Sequence, residues 1–187
     1  MENIKNLQNI AKEYTILLVE DSKALQKQVL LFLEKFFKEV YIASDGLEGI
    51  ELYKQYAPDL IITDLTMPKM NGHDMIREIK KINQDVEIII ISAHSDPDNL
   101  MTSFHIGVSD FIQKPVTASK MITVFLKVLS NITRKKEQIE NLIKNSVDSG
   151  NNDILDFIYQ GDLKFNLVNN STFAHKKIIN FLCLKAL

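Results

Sequence analysis

One cysteine, Cys183, stands in 187 residues. That excludes an internal disulfide framework and any cysteine-rich zinc site. An excess of one charge is also missing: 22 Lys+Arg against 24 Asp+Glu leave a net −2, which argues against non-specific nucleic-acid binding as a main task. No uninterrupted apolar run approaches the ~20 residues needed to span a bilayer. The opening Met1-Glu2-Asn3-Ile4-Lys5 carries charge without the apolar core of a signal peptide. There is no internal repeat and no low-complexity segment. What remains is an ordinary globular composition, 45% hydrophobic and 25% charged, with room for one domain plus an appendage. A soluble cytoplasmic protein, with no membrane and no nucleic acid as partner, is the expectation.

Short apolar runs then recur along the chain: Ile16-Leu17-Leu18-Val19, Val40-Tyr41-Ile42-Ala43, Leu60-Ile61-Ile62, Ile88-Ile89-Ile90-Ile91 and Asp110-Phe111-Ile112. Near-continuous β-branched and aliphatic runs mean strands buried on both faces, hence a parallel sheet. Helical spacing fills the intervals. Leu25, Val29, Phe32, Leu33 and Phe36 mark a helix over 22–37; Leu47, Ile50 and Tyr53 mark one over 46–56; Met75, Ile76 and Ile79 mark one over 72–82. Leu100, Met101 and Phe104 mark a helix over 96–106, and Met121, Ile122, Phe125, Val128, Leu129 and Ile132 one from Ala118 onward. Strand–helix alternation of this kind predicts a three-layer α/β sandwich, and right-handed crossovers bring all the strand C-termini to one edge.

That edge gathers polar groups. The first strand delivers Glu20-Asp21, the third Asp64, the fourth Ser92, and Lys114-Pro115 follow the fifth. In open α/β sheets, sites lie outside the carboxyl ends of the strands. Carboxylates crowded to ~4 Å repel by ~4 kcal/mol per pair at an effective dielectric of ~20. Lys114 offsets one charge. A hard divalent cation offsets the rest, and an all-oxygen site that retains waters suits Mg²⁺.

Taken in order, Glu20-Asp21, Asp64-x-x-Met67-Pro68-x-Met70-Asn71-Gly72, Ser92-Ala93 and Phe111-x-x-Lys114-Pro115 make the chain resemble the receiver domains of bacterial two-component response regulators, those of the chemotaxis-regulator type included. The resemblance runs from about Glu13 to Arg134. It implies a doubly wound, five-stranded parallel sheet (a flavodoxin-like receiver) over 13–133, with 134–187 as a mainly helical linker or extension that acts as a small or truncated output or dimerisation segment.

The resemblance also implies roles. Asp64 would be the nucleophile that accepts a phosphoryl group from a sensor histidine kinase or phosphotransfer protein. Asp21 and Asp64 would ligate Mg²⁺ directly, Glu20 would hold it through water, and the Thr66 carbonyl would complete the protein's share. Lys114, aimed by a cis peptide to Pro115, would pair with phosphoryl oxygens. The Ser92 hydroxyl would swing to the phosphoryl group, and Phe111 would turn into the space it vacates. The face made by the fourth strand's following helix, the fifth strand and the next helix would then change shape, and in this family it commonly dimerises. Thr66 and His94 occupy positions that flank the phosphoryl group in relatives and govern its lifetime. Three positions depart from the commoner pattern: Glu20 for Asp, Ser92 for Thr, and Phe111 for the tyrosine variant.

On this reading the chain is a regulatory switch and not an enzyme turning over an external substrate. An aspartate phosphohydrolase of the haloacid dehalogenase type wants a second Asp two residues after the nucleophile, and position 66 is Thr. A phosphorelay fragment with His175 as second acceptor is the other alternative. The acidic residue expected after such a histidine is missing, and the tail is short for the helical bundle it needs. His73, His94 and His105 read as surface groups, and Met67, Met70, Met75 and Met101 as packing residues.

Beyond Ile132 the pattern thins. Phe125, Ile132 and Ile139 share one heptad position, and Val128, Lys135 and Leu142 the other; a coiled-coil seam and a solvated helical extension fit equally. Asn145 to Asp153 reads as a linker, 154–168 as a hairpin or a helix plus strand, and 173–187 as a final helix capped by Ser171 or Thr172. Residues 133–187 hold 8 Lys+Arg and 6 Asp+Glu, which is no basic recognition stripe. Either this tail docks on a partner or a second copy, or the chain is cut from a longer protein.

Overall fold

The computed structural model describes residues 2–93 and 97–148. The order is α1 (Glu2–Ala11), β1 (Thr15–Val19), α2 (Lys23–Leu33), β2 (Glu39–Ala43), α3 (Gly46–Tyr56), β3 (Leu60–Asp64), α4 (Gly72–Ile82), β4 (Glu87–Ser92), α5 (Pro97–His105), β5 (Asp110–Gln113) and α6 (Ala118–Asp148). One five-stranded sheet has the order β2-β1-β3-β4-β5, and every pairing is parallel. The expected doubly wound parallel sheet is present.

Both faces of the sheet are apolar because the strands are aliphatic at nearly every position. Leu17, Val19, Ile61, Ile88 and Ile90 pack with Tyr53 of α3 and Met75, Ile76 and Ile79 of α4 on one face. The intervening residues Ile16, Leu18, Leu60, Ile62, Ile89 and Ile91 are equally buried and point the other way. There α2 and the turn that follows it meet α6 through aromatic rings, Phe32 and Phe37 each lying against Phe125.

Four local expectations are corrected. The helix read as 22–37 ends at Leu33: Ser22 is its N-cap, and the N–H groups of Lys35 and Phe36 bond three residues back, to Phe32 and Leu33. The aromatic run thus continues the inward face in a tightened turn. On α5, Met101 and Phe104 point outward, 56% and 72% exposed, while Ser103 is buried and Ile106 joins the core. On α3, Leu47 is 46% exposed because the inward positions are Gly46, Gly49 and Tyr53. A Cβ on Gly49 would stand 2.6 Å from the Met75 sulfur, so the glycine is what lets α3 approach α4. Finally, α6 runs to Asp148, three residues past Asn145, where the linker was expected; Asn, Ser and Asp are tolerated in a last helical turn even though they disfavour helix interiors.

The N-terminal helix α1 was not anticipated. Its buried residues are Leu7 and Ala11, one turn apart on one side. The described residues divide into two units between Ser130 and Asn131, within α6. The side chains of Ile139 and Leu142, His94, and the whole of 149–187, including His175 and the helix expected over 173–187, lie outside the described residues.

Candidate functional site

The site begins with the ends of β1 and β3, neighbours at the middle of the sheet. β1 hands off to Glu20 and Asp21, and β3 ends on Asp64. Glu20 is 1% and Asp64 7% exposed, whereas Asp21 is exposed. Carboxylate oxygens of the three lie within 4.8 Å of one another. Lys114 reaches in from beyond β5, its Nζ 2.5 Å from Asp64 Oδ2 and 3.3 Å from Glu20 Oε2, and its peptide to Pro115 is cis.

Backbone donors fix the remaining oxygens. Asp64 Oδ1 accepts from the N–H of Leu65 at 2.6 Å and of Thr66 at 3.3 Å. Glu20 Oε1 accepts from the N–H of Ser22 at 3.1 Å. Gly72 N–H donates to the Leu65 carbonyl at 2.8 Å, and a Cβ at Gly72 would collide with the Asp64 carbonyl oxygen. The glycine therefore lets α4 begin directly against the backbone of Asp64. Between them, Lys69 adopts a left-handed backbone with φ 62°. Its ammonium bonds the buried carboxylate of Asp45 at 2.5 Å, the residue that caps α3. The bond to Lys69 is the main reason the Asp45 carboxyl is held below the usual range.

The charges are unequal in their environment. Burial pushes the Glu20 carboxyl up, Lys114 pulls it down, and the neighbouring Asp64 raises it again, for a net rise. For Lys114, burial lowers the ammonium's pKa, but the bond to and charge of Asp64, with Glu20 behind it, outweigh that and leave it raised. Among the described residues, the Lys114 ammonium pairs with Glu20 and Asp64 of the three clustered carboxylates, so two negative charges remain to be offset. Hard oxygen donors so close together fit a hard divalent cation.

A polar cavity of about 290 Å³ is lined by Leu65 and Thr66, which follow Asp64 in the chain, by Ser92, and by Asn71, His73, Asp74 and Arg77 of the α4 entrance. Thr66 and Ser92 thus face one space. Phe111 lies one strand further out. It pairs in register with Ile90, packs on the α3–α4 face, and borders a separate groove of about 460 Å³ along β5 and the start of α6.

Sequence reasoning missed two groups here. His73, read as a surface residue, is half-buried, and its Nε2 lies 3.0 Å from Ser103 Oγ on α5. Burial and then the Arg77 cation hold its pKa below the ordinary value, against an opposing pull from Asp74. Gln26, unremarked on α2, is buried, and its Nε2 donates to the Glu20 carbonyl. A polar residue at an inward helical position was the only available signal. His105 is exposed as expected.

A parallel α/β sheet with an acidic cluster and a lysine at its carboxyl edge defines a class of signalling domain. Residues 16–126 match the response regulator receiver domain family; the chain belongs to it. Chemotaxis protein CheY of Thermotoga maritima is 35% identical over 114 residues, 60% of this chain and 95% of that protein. Hybrid signal transduction histidine kinase D of Dictyostelium discoideum is 30% identical over 155 residues, 82% of this chain but 10% of the kinase. The probable C4-dicarboxylate response regulator of Priestia megaterium is matched over 61% of its length. Among solved structures, the N-terminal domain of an uncharacterized protein from Wolinella succinogenes superposes with TM-score 0.61 at 33% identity, covering 66% of this chain and 98% of that one. CheY in a CheX–CheY–beryllofluoride–magnesium complex from Borrelia burgdorferi gives 0.59 at 28% identity, covering 62% and 88%.

Proposed function

We propose that the chain is a phosphorylation-controlled switch whose Asp64 takes a phosphoryl group from a sensor histidine kinase or phosphotransfer protein in the cytoplasm. An Asp64 carboxylate oxygen forms a bond to phosphorus as the phosphorus–nitrogen bond of the donor's phosphohistidine breaks. The imidazole leaves with the bonding pair and takes up a proton. Such transfers ask little covalent chemistry of the protein; positioning and charge neutralisation dominate. Asp21, Asp64 and the Thr66 carbonyl would hold Mg²⁺ directly and Glu20 through water. Bound there, Mg²⁺ neutralises charge on the donor's phosphoryl oxygens.

The residues of the chain supply the rest. Leu65 and Thr66 N–H groups keep Oδ1 of Asp64 in place. Lys114 transfers its charge from Asp64 to a phosphoryl oxygen, as a point charge. The new group adds about −1.5 to −2 of charge and fresh acceptor oxygens. Ser92 donates to one of them, and Phe111 fills the space left behind. Nothing in this cycle turns over an external substrate; intrinsic self-phosphorylation and hydrolysis are the only chemistry. The switched form pairs with a second copy through the α5–β5–α6 face.

The observation that carries this reading is the meeting of Glu20, Asp21 and Asp64 with Lys114 at one point. It is tested by incubating the chain with a small-molecule phosphodonor and Mg²⁺. Wild type should gain an acid-stable, base-labile acyl phosphate, and Asp64→Asn should gain none; label retained by that variant would remove the nucleophile. A second reading makes the chain a segment of a longer hybrid signalling protein. The 155-residue match to the hybrid kinase, longer than the receiver match itself, favours it. Label lost on His175→Gln and kept on Asp64→Asn would support that alternative's second acceptor.

A further inference from the structure

Gln26 is a buried amide on the inward side of α2, on the same face as Val29 and Leu33. An aliphatic residue would pack there without the cost of desolvating two polar groups. The amide is instead committed to the end of the sheet. Its Nε2 donates to the carbonyl of Glu20 at 3.0 Å and to that of Ala43 at 3.2 Å, and its Oε1 accepts from Lys23 Nζ at 3.3 Å.

Those carbonyls stand where the β1–β2 ladder stops. The last residue pair in register is Val19 with Ala43, and Glu20 N–H still reaches the Ala43 carbonyl at 3.1 Å. Gln26 adds one more rung with a side chain, so Glu20 is held at its N–H, its C=O and both carboxylate oxygens. The carbonyl that Gln26 holds belongs to the peptide joining Glu20 to Asp21. Its orientation sets where the exposed Asp21 carboxylate starts from.

We infer that Gln26 is a positioning residue for the cation site: by fixing the Glu20–Asp21 peptide plane it sets the affinity of the three-carboxylate cluster for a hard divalent cation. This rests on the proposed magnesium role of that cluster. Losing a supporting contact of a metal ligand typically weakens binding by about 10–100-fold.

The test is calorimetric titration of the full chain with Mg²⁺. Gln26→Met keeps the length and removes both donors. Gln26→Glu keeps the shape, removes the donors and adds a negative charge near the cation. Positioning predicts that both weaken Mg²⁺ at least about tenfold, while Gln26→Arg, whose guanidinium can donate to both carbonyls, stays within about threefold of wild type. Simple electrostatics predicts the opposite for the glutamate variant, and a packing role would shift melting temperature alone. Folded Met and Glu variants that bind Mg²⁺ like wild type, or a Glu variant that binds more tightly, would overturn the inference. Should those variants not fold, the wild-type chain suffices: the Gln26 side-chain amide signals must move on adding Mg²⁺ in an NMR titration, and unmoved signals count against it. Asp21→Asn and Asp64→Asn separate the two levels. If wild type shows no saturable Mg²⁺ binding that these weaken, the proposed function fails and this inference with it; if they weaken it and Gln26 does not, only this inference fails.

Discussion

Lys114 holds two buried carboxylates that would otherwise face each other without a cation. Removing it leaves Glu20 and Asp64 uncompensated in the absence of metal. Breaking a fully buried pair costs ~3–5 kcal/mol; Lys114 is partly exposed, so Lys114→Ala should destabilise the metal-free chain by about 2 kcal/mol. Millimolar Mg²⁺ should restore most of it, and urea melts with chelator and with Mg²⁺ check both halves. The same variant should still take label from a phosphodonor yet respond weakly to it. A second residue-scale prediction concerns acid. His73 has a folded pKa depressed below 6.5, so the unfolded chain takes up this proton first as pH falls. Its contribution is complete above about pH 6.5 and is lost as pH drops through the folded value. His73→Gln, which keeps a donor for Ser103, should flatten the stability profile just below about pH 6.5; an unchanged slope in melts there would remove His73 as its source. The meeting of Asp64 with Glu20, Asp21 and Lys114 is readable because each lies at or just beyond a strand end. Gln26 and His73 were not, because their partners, the Glu20 carbonyl and Ser103, come close only after folding.

At the scale of elements, the strands declared themselves because Ile, Leu and Val occupy successive positions and both faces are covered. The helices were readable in extent but not always in orientation. Periodicity finds an apolar stripe; it does not say which side packs when the inward residues are small. Gly46 and Gly49 on α3 and Ser103 on α5 are the inward ones, so Leu47, Met101 and Phe104 were assigned to the wrong side. α1 escaped notice because only Leu7 and Ala11 of its ten residues are buried. Small residues also transmit geometry. Gly72 brings the first turn of α4 against the Asp64 carbonyl, and its own N–H closes the loop onto Leu65. A methyl there must push either α4 or the end of β3. Gly72→Ala should therefore cost about 1–3 kcal/mol, the range for overpacking, and should slow phosphodonor labelling while Gly107→Ala, at a position remote from the acceptor, leaves labelling unchanged. Chemical denaturation and labelling rates read the two effects separately.

Across the whole sheet, acceptor, hydroxyl and ring occupy consecutive strands: Asp64 on β3, Ser92 on β4, Phe111 on β5. The register places Asp64 beside Ile91, Ser92 beside Gln113 and Ile90 beside Phe111, a lateral path toward β5 that the proposed switch would use. β5 ends the sheet, and α5, which precedes it in the chain, exposes Met101 and Phe104. Large exposed apolar side chains are common components of interaction surfaces, and the proposed switch would use these two to pair with a second copy. Coupling between phosphoryl group and face is typically worth about 1–3 kcal/mol, or 5–150-fold in affinity. Beryllofluoride with Mg²⁺ should accordingly tighten self-association of the wild-type chain within that range, measured by sedimentation equilibrium. Met101→Ser with Phe104→Ser should weaken the activated dimer by at least about tenfold, equivalent to ~1.4 kcal/mol, and leave acyl-phosphate formation at Asp64 untouched because neither side chain belongs to the Glu20–Asp21–Asp64–Lys114 cluster. Dimerisation that survives the double substitution would move the output surface elsewhere, whereas lost labelling would mean that α5 supports the acceptor itself.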